Sequence, residues 1–156
     1  MQTDQQVPQT FSHVAPETDE VFSLTANEAV RMHHPVQGAE HILLGLLKQG
    51  SGPAYDVLIS FGITYEKVWA IVRHMHTAQI GKRLNEKYTV LAIAVIKTAI
   101  MIAQQDPTAT DAEPRHLLTS LLVTTDINIE QLFDSLRVDR TEMLVKVTDP
   151  SMLAKY

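Results

Sequence analysis

The chain has 156 residues, 45% of them hydrophobic and 20% charged, which is enough to build one domain with a real core. Its formal net charge of −5 argues against a general nucleic-acid or anionic-membrane binder, because such proteins need a basic face. The absence of cysteine excludes a disulfide scaffold and a cysteine-based metal site.

The N-terminal segment is polar and rich in glutamine from Met1 to Thr10. It lacks the positively charged and apolar regions that define a secretory signal. We interpret residues 1–15 as a disordered leader, because nothing in their composition would dock them on a core. With no export signal and no cysteine, the chain is expected to be cytoplasmic.

Four helices are predicted in the first half of the chain from the spacing of apolar residues. The first spans about Glu17 to His33. The second runs from about Ala39 to Gln49, where a glycine-rich stretch ends it. The third begins at Pro53, a residue favoured in the first turn, and the fourth follows Thr64, which can cap it.

The second half of the chain repeats this plan. The string EHILLGLL at Glu40–Leu47 aligns with RHLLTSLL at Arg115–Leu122, 75 positions later. The first helix of the repeat, about Asn85 to Gln104, needs a different offset because the loop that follows it is longer. Its stretch Val90–Ala103 is very apolar but shorter than the roughly 20 residues of a membrane span. We therefore expect this helix to be buried at the centre of the domain.

These patterns predict an all-α fold of two pseudo-symmetric four-helix repeats, packed into one eight-helix domain. Repeat one is assigned to residues 16–76, a linker to 77–84 and repeat two to 85–148. Residues 149–156 are interpreted as a C-terminal tail. The core is expected to include four leucines of the second helix of each repeat: Leu44, Leu47, Leu118 and Leu122.

A further set of residues recurs in the order and spacing of a known family: Leu24–Ala29, His34, Gly38, Glu40–Leu47, Gly50, Gly52, Leu58, Gly62 and Ile63. In these residues the chain resembles the N-terminal double-repeat domain of the Clp (Hsp100) unfoldases, the ClpA/ClpC type, over about residues 16–148. In that family ATPase modules usually follow the domain, and this chain holds no G-x-x-x-x-G-K-[ST] phosphate loop. We interpret it as a domain that is not an enzyme and needs no cofactor, either a stand-alone protein or part of a longer chain.

Neither a catalytic nor a metal-binding constellation is predicted. The serines and histidines are scattered without a nucleophile-elbow signature. His74 and His76 are two residues apart, which places them on different helix faces. His41 and His116 stand at equivalent repeat positions, and we interpret them as residues that fix the loop-to-helix junctions by hydrogen bonds.

Glu40 is the candidate charge of repeat one. It stands in the first turn of a helix, where the helix dipole favours an anion whatever its function. The resemblance implies a second role, because the corresponding glutamate of ClpC-type domains is implicated in recognising phosphorylated arginine through its guanidinium group. Basic residues at the first helix would then hold the phosphate.

Both repeats depart from that pattern. In repeat one, Glu17, Asp19 and Glu20 stand where basic residues are expected and would repel a phosphate. In repeat two, Lys87 supplies a cation, but Arg115 replaces the glutamate. Each repeat lacks one half of the site, so we expect free phosphoarginine to bind much more weakly than to a domain with the full pattern.

Tyr65 and Trp69 are the remaining candidates for partner binding, because they are i, i+4 neighbours on the predicted fourth helix. Such an aromatic stripe usually belongs to the core, although tyrosine and tryptophan are also enriched at interfaces. The sequence thus predicts a non-enzymatic interaction module of the Clp protease system. It would bind substrates, adaptors or unfoldase subunits as an accessory or competing factor, with no nucleic-acid or membrane partner. The alternative is a small-ligand sensor or sequestering protein that uses the groove between the repeats.

Overall fold

The computed structural model of the chain describes residues 11–75 and 87–156. Within these ranges the fold is all-helical, as predicted, with eight α-helices followed by a 3₁₀ helix at Pro150–Lys155. None of these helices has the length and apolar character that crossing a membrane requires. The α-helices are α1 (Pro16–Arg31), α2 (Ala39–Gln49), α3 (Pro53–Ser60), α4 (Tyr65–Val72), α5 (Val90–Gln104), α6 (Pro114–Val123), α7 (Ile127–Ser135) and α8 (Arg140–Val147).

The two repeats match element by element. Helices α2, α3 and α4 recur as α6, α7 and α8 at the predicted offset of 75 residues, and α4 and α8 agree at both ends. Helices α1 and α5 match at an offset of 74. Extended residues ahead of each make equivalent parallel bridges, Val14 with Ala112 and Tyr88 with Gln37. Residues of repeat one thus have structural counterparts that can be compared with them directly.

Contacts between the repeats obey the same symmetry. Helix α3 packs on α8 as α7 packs on α4, and α1 meets α6 as α5 meets α2. Helices α2 and α6 meet each other at the centre. Their four leucines predicted to be core residues are all buried, with at most 5% of each exposed: Leu44, Leu47, Leu118 and Leu122. The two repeats therefore share one hydrophobic core.

Helix α5 does not occupy the centre of the fold, so this part of the sequence prediction is wrong. Helices α2 and α6 lie there, with Ala39–Leu47 and Arg115–Leu122 buried without interruption. Helix α5 instead takes the outer position of α1, its counterpart, and buries one face only. Val90 is 79% exposed and Met101 63%. The position of α5 within its repeat, and not its high apolar content, determines where this helix lies in the fold.

Helix α5 also begins later than predicted, at Val90 rather than Asn85. Residues 87–89 are needed in extended form for the bridge to Gln37. The Thr89 hydroxyl oxygen then caps the helix by accepting a hydrogen bond from the Ala92 N–H at 3.0 Å. The predicted linker 77–84 lies outside the described residues.

Both ends of the described chain are more involved in the fold than the sequence suggested. Residues 11–15, assigned to the leader, pack on the domain, and the Phe11 ring lies 5.8 Å from that of Phe22 and 6.0 Å from that of Tyr88. In the C-terminal segment, Met152 packs against the core. The hydroxyl of Tyr156 donates a hydrogen bond to the Asp56 carboxylate.

The close contact between the first two helices of each repeat is made by different side chains in the two repeats. In repeat one, the Thr25 hydroxyl donates to the Val21 carbonyl at 2.8 Å, and Gly45 of α2 leaves room for it. A Cβ on Gly45 would overlap the Thr25 hydroxyl oxygen. In repeat two, the position of Gly45 holds Ser120, whose hydroxyl donates to the Val95 carbonyl at 2.7 Å. The helix that supplies the hydroxyl differs between the repeats.

We therefore expect Gly45→Ser alone to destabilise the domain by about 1–3 kcal/mol, because the new side chain overlaps Thr25. Adding Thr25→Ala should restore part of that loss, since the introduced serine could then bond the Val21 carbonyl as Ser120 bonds Val95. The restoration is partial because a Cβ at position 45 would still stand 2.9 Å from that carbonyl oxygen. Urea denaturation of the two single variants and the double variant measures the coupling. If the stability losses of the two single variants simply add in the double variant, a serine on α2 cannot take the place of Thr25 in repeat one.

Candidate functional site

A histidine holds the loop that leads into α2. The backbone N–H of Gly38 donates to His41 Nδ1 at 2.8 Å, so the neutral ring carries its proton on Nε2. That nitrogen lies 2.8 Å from His34 Nδ1 and donates to it. Burial lowers the pKa of His41 to about 3, and the nearby His34 contributes to this lowering. The ring is therefore a neutral structural link, as the sequence predicts.

Repeat two builds the same junction with charged residues. His116 Nδ1 accepts from the Glu113 N–H at 2.9 Å, and Nε2 lies 2.9 Å from Asp106. Arg115 contacts the Asp106 and Glu113 carboxylates, each at 2.8 Å. Burial alone would raise the pKa of Asp106, but hydrogen bonds from His116 and Thr108 and the charge of Arg115 bring it below its usual range. Arg115 is thus neutralised within the fold.

Glu40 lies in the first turn of α2 with only 6% of the residue exposed. Its carboxylate fills the space above Gly38, where a Cβ would stand 2.5 Å from one carboxylate oxygen. Burial raises the pKa of Glu40, the hydrogen bond from its own backbone opposes this, and the nearby Asp126 raises it again. His41 Nδ1, 3.7 Å away, is an acceptor and brings no positive charge. Within the described ranges no lysine or arginine pairs with Glu40.

The backbone of Lys87, which the sequence prediction assigned to repeat two, lies against the loop of repeat one that leads to Glu40. The Gln37 N–H donates to the Lys87 carbonyl at 2.8 Å, and the Thr89 N–H donates to the Gln37 carbonyl at 2.9 Å. The segment ahead of α1 makes the equivalent bridge to the loop before α6. Each junction therefore combines residues of both repeats, because the repeats exchange their N-terminal segments.

Two residues of this junction were missed by sequence reasoning. Gln37 Oε1 is buried and, in the part of the chain that the structure describes, accepts no hydrogen bond. Asp126 caps α7, accepting from Asn128 N–H at 2.9 Å, and its charge reaches Glu40 across the seam between the repeats. The sequence shows Asp126 only as a helix cap, since its distance from Glu40 depends on packing. Gln37 and Glu40, three residues apart, are both buried acceptors, and the charge of Asp126 adds to the negative potential at Glu40, which favours a cationic donor.

Tyr65 and Trp69 are both half-buried and pack against the core. The Tyr65 hydroxyl donates to the buried Glu28 carboxylate at 2.5 Å, and the Lys48 ammonium lies 4.7 Å from the Tyr65 ring centre. Arg73 stands 5.2 Å from the Trp69 ring. Tyr65 therefore has a structural task, whereas Trp69 presents part of an aromatic surface with a cation beside it. Their role in partner binding stays a prediction.

Metal binding finds no geometric support in residues 11–75 and 87–156. These ranges contain no group of three or more histidine, aspartate or glutamate side chains arranged to hold an ion. Of the histidine pair noted in the sequence, His74 follows α4, and His76 lies outside the described residues.

Comparison with known proteins supports the resemblance. Residues 14–84 match the family model of the Clp repeat (R) N-terminal domain. ClpC of Staphylococcus epidermidis is 41% identical over 58 residues, 37% of this chain and 7% of that protein. A probable ATP-dependent Clp protease ATP-binding subunit of Chlamydia pneumoniae is 28% identical over 127 residues, 80% of this chain and 15% of that protein. The chain thus spans a small part of the length of these curated relatives.

Solved structures extend the likeness to both repeats. The N-terminal domain of the chaperone ClpD from Arabidopsis thaliana matches with a TM-score of 0.72 at 15% identity, covering 88% of this chain and 96% of that one. The Hsp104 N-terminal domain from Candida albicans gives 0.70 at 12% identity, covering 88% and 91%. The resemblance to the Clp N-terminal domain is confirmed, and the chain has that double-repeat fold. Clp N-terminal domains are protein-interaction domains.

The buried histidine makes stability depend on pH. The unfolded chain takes up the His41 proton near pH 6.5, whereas the folded chain resists it until about pH 3. This contribution is complete above pH 6.5 and is lost as the pH falls, by about 2 kcal/mol between pH 7 and pH 5. The lowered pKa of His116 acts in the same direction, and the raised pKa of Glu40 opposes both.

Urea midpoints at the two pH values should show this loss in the native protein. His41→Asn, which cannot titrate, should have a shallower pH dependence, and Glu40→Gln a steeper one. His13→Asn is the matched control, because His13 is exposed. An unchanged pH dependence in His41→Asn would contradict the assignment.

Proposed function

We propose that this protein is a non-enzymatic interaction module of the Clp protease system. It binds substrates, adaptors or unfoldase subunits, as an accessory factor or as a competitor for ligands of the unfoldase. The observation that carries this proposal is the match of the fold to Clp N-terminal domains over 88% of the chain. A domain with that shape can be recognised by the partners of such domains. A cytoplasmic location is part of the same proposal.

The interior of the domain favours a surface function. The seam between the repeats is filled where α2 meets α6, and its residues belong to one continuous core. Ser120 and His116 are both buried, and each is engaged in a structural hydrogen bond. A nucleophile with a base at hydrogen-bond distance and access to substrate is the minimum for acyl transfer, and these two residues do not supply it.

The proposal is tested by reconstituted degradation with a Clp unfoldase, its protease and a fluorescent substrate. We expect the purified chain to bind the unfoldase or an adaptor and to change the degradation rate in proportion to the bound fraction. Alone, it should hydrolyse neither ATP nor peptide. Trp69→Ala should weaken binding through the half-buried aromatic surface, and Ile59→Ala, at an exposed residue of α3, is its control. Failure to bind any of these components and an unchanged rate would contradict the proposal.

A second candidate, a small-ligand sensor, is favoured by one observation, the acceptors at the α2 junction. Among the described residues, Gln37 Oε1 lacks a donor and Glu40 lacks a paired lysine or arginine, and Asp126 adds negative charge. A ligand with a guanidinium or ammonium group that reached this site would pair with the Glu40 carboxylate. Lys87, at the same junction, could meet an anionic part of the same ligand.

Phosphoarginine is the direct probe for this second candidate. We expect no saturable binding, because Glu40 is 6% exposed and reaching its carboxylate requires its packed surroundings to move. Calorimetric titration at low salt is the measurement, since screening would hide a weak electrostatic site. Micromolar binding that Glu40→Gln abolishes and Lys87→Gln weakens would instead establish the junction as a ligand site.

A further inference from the structure

The outward row of α5 carries apolar residues at two positions, Ala94 and Met101, where the same row of α1 carries the polar Glu20 and Asn27. The row has five positions, and the residues at all of them are exposed in both helices. On α5 they are Val90, Ala94, Lys97, Met101 and Gln104. Their counterparts on α1, 74 positions earlier, are Pro16, Glu20, Ser23, Asn27 and Val30. Because the two helices hold equivalent places in the fold, packing does not explain the difference.

The exposed apolar residues of the α5 row are flanked by further apolar side chains. Val90 is 79% exposed and Met101 63%. Leu91, Ile93 and Ile100 border them and are only partly covered by the core. The exposed positions recur at i, i+4, i+7 and i+11, which is the spacing that one helix presents to another. Contiguous apolar surface of this kind marks interaction sites on soluble proteins.

The charges on α5 indicate which kind of partner can bind its outward row. Residues 87–105 contain two lysines, Lys87 and Lys97, and no carboxylate, in a chain whose net charge is −5. The equivalent residues 13–31 contain four carboxylates and one arginine. Lys97 stands in the middle of the row with its side chain exposed. An occupant that carries carboxylates beside its apolar stripe is therefore complementary to this surface.

We propose that the outward row of α5 is a docking surface for an acidic amphipathic helix of another protein. This inference rests on the proposed interaction function and specifies its surface and the chemistry of its partner. The partner's apolar stripe lies between Val90 and Met101, and a carboxylate beside the stripe pairs with Lys97.

Two other occupants fit less well. In a second copy of this chain, full antiparallel overlap of the α5 helices would bring Lys97 opposite Lys97, which is repulsive. An anionic bilayer would attract Lys87 and Lys97 but repel the rest of a chain with a net charge of −5. Both remain outcomes of the experiment below.

The test uses two synthetic amphipathic peptides of about 18 residues, roughly five helical turns. They share a leucine stripe and differ in having glutamate or lysine on the flanks. Fluorescence anisotropy with the full chain should show the acidic peptide binding about tenfold more tightly, a difference of about 1.4 kcal/mol. Met101→Glu should abolish binding of both peptides. Lys97→Glu should reverse the preference between them, which a non-specific apolar surface would not do.

Val30→Glu is the matched control, because Val30 is 71% exposed on α1, at the position equivalent to Gln104 of α5. It should bind the acidic peptide like the native chain, and circular dichroism should show all variants folded. The proposal is overturned by equal binding of the two peptides, or by dimerisation or binding to phosphatidylserine vesicles that Met101→Glu abolishes. If a Clp component binds and Met101→Glu leaves that binding unchanged, the surface assignment fails while the proposed function stands.

Discussion

Complete burial of two central helices is the constraint on which the rest of this structure depends. Helices α2 and α6 are buried along nearly their whole length, polar residues such as Glu40 and Ser120 included, so each is covered on every side. One four-helix repeat cannot do this alone, because it has too few helices to surround its own second helix. Packing α2 against α6 closes the last open side of both. The other helices then lie outside this pair in symmetric positions.

The two repeats share the same backbone geometry, but different side chains maintain it in each repeat. At the contact between the first two helices of each repeat, a carbonyl receives a hydroxyl from Thr25 in one repeat and from Ser120 in the other. At the loop-to-helix junctions, His41 bonds His34 while His116 bonds Asp106. Each pair preserves the backbone geometry with different side chains. The repeats can therefore diverge in surface and charge without loss of the common fold.

Because the repeats differ in their side chains, equivalent surfaces of the fold differ in charge and polarity. The α2 junction gathers acceptors from both repeats around Glu40, whereas the α6 junction neutralises Arg115 internally. Helix α1 presents Glu17, Asp19 and Glu20 to solvent, whereas α5 carries no carboxylate and presents Met101 beside Lys97. A double repeat thus provides two unlike faces for the interactions proposed here.

The sequence by itself determined the helices, the repeat and the family resemblance. Helices follow from local signals, namely apolar periodicity and the prolines at helix starts, Pro53 and Pro114. The repeat follows from comparing the two halves of the sequence, which align at an offset of 75 residues. It also identified His41 and His116 as junction residues, since their place relative to a helix start is local. Only the tertiary structure decided that α5 lies outside and that Lys87 joins the Glu40 junction. The place of α5 and the place of Lys87 both depend on which repeat the segment around the start of α5 packs against. The exchange of N-terminal segments is a long-range pairing, and one sequence carries no record of it.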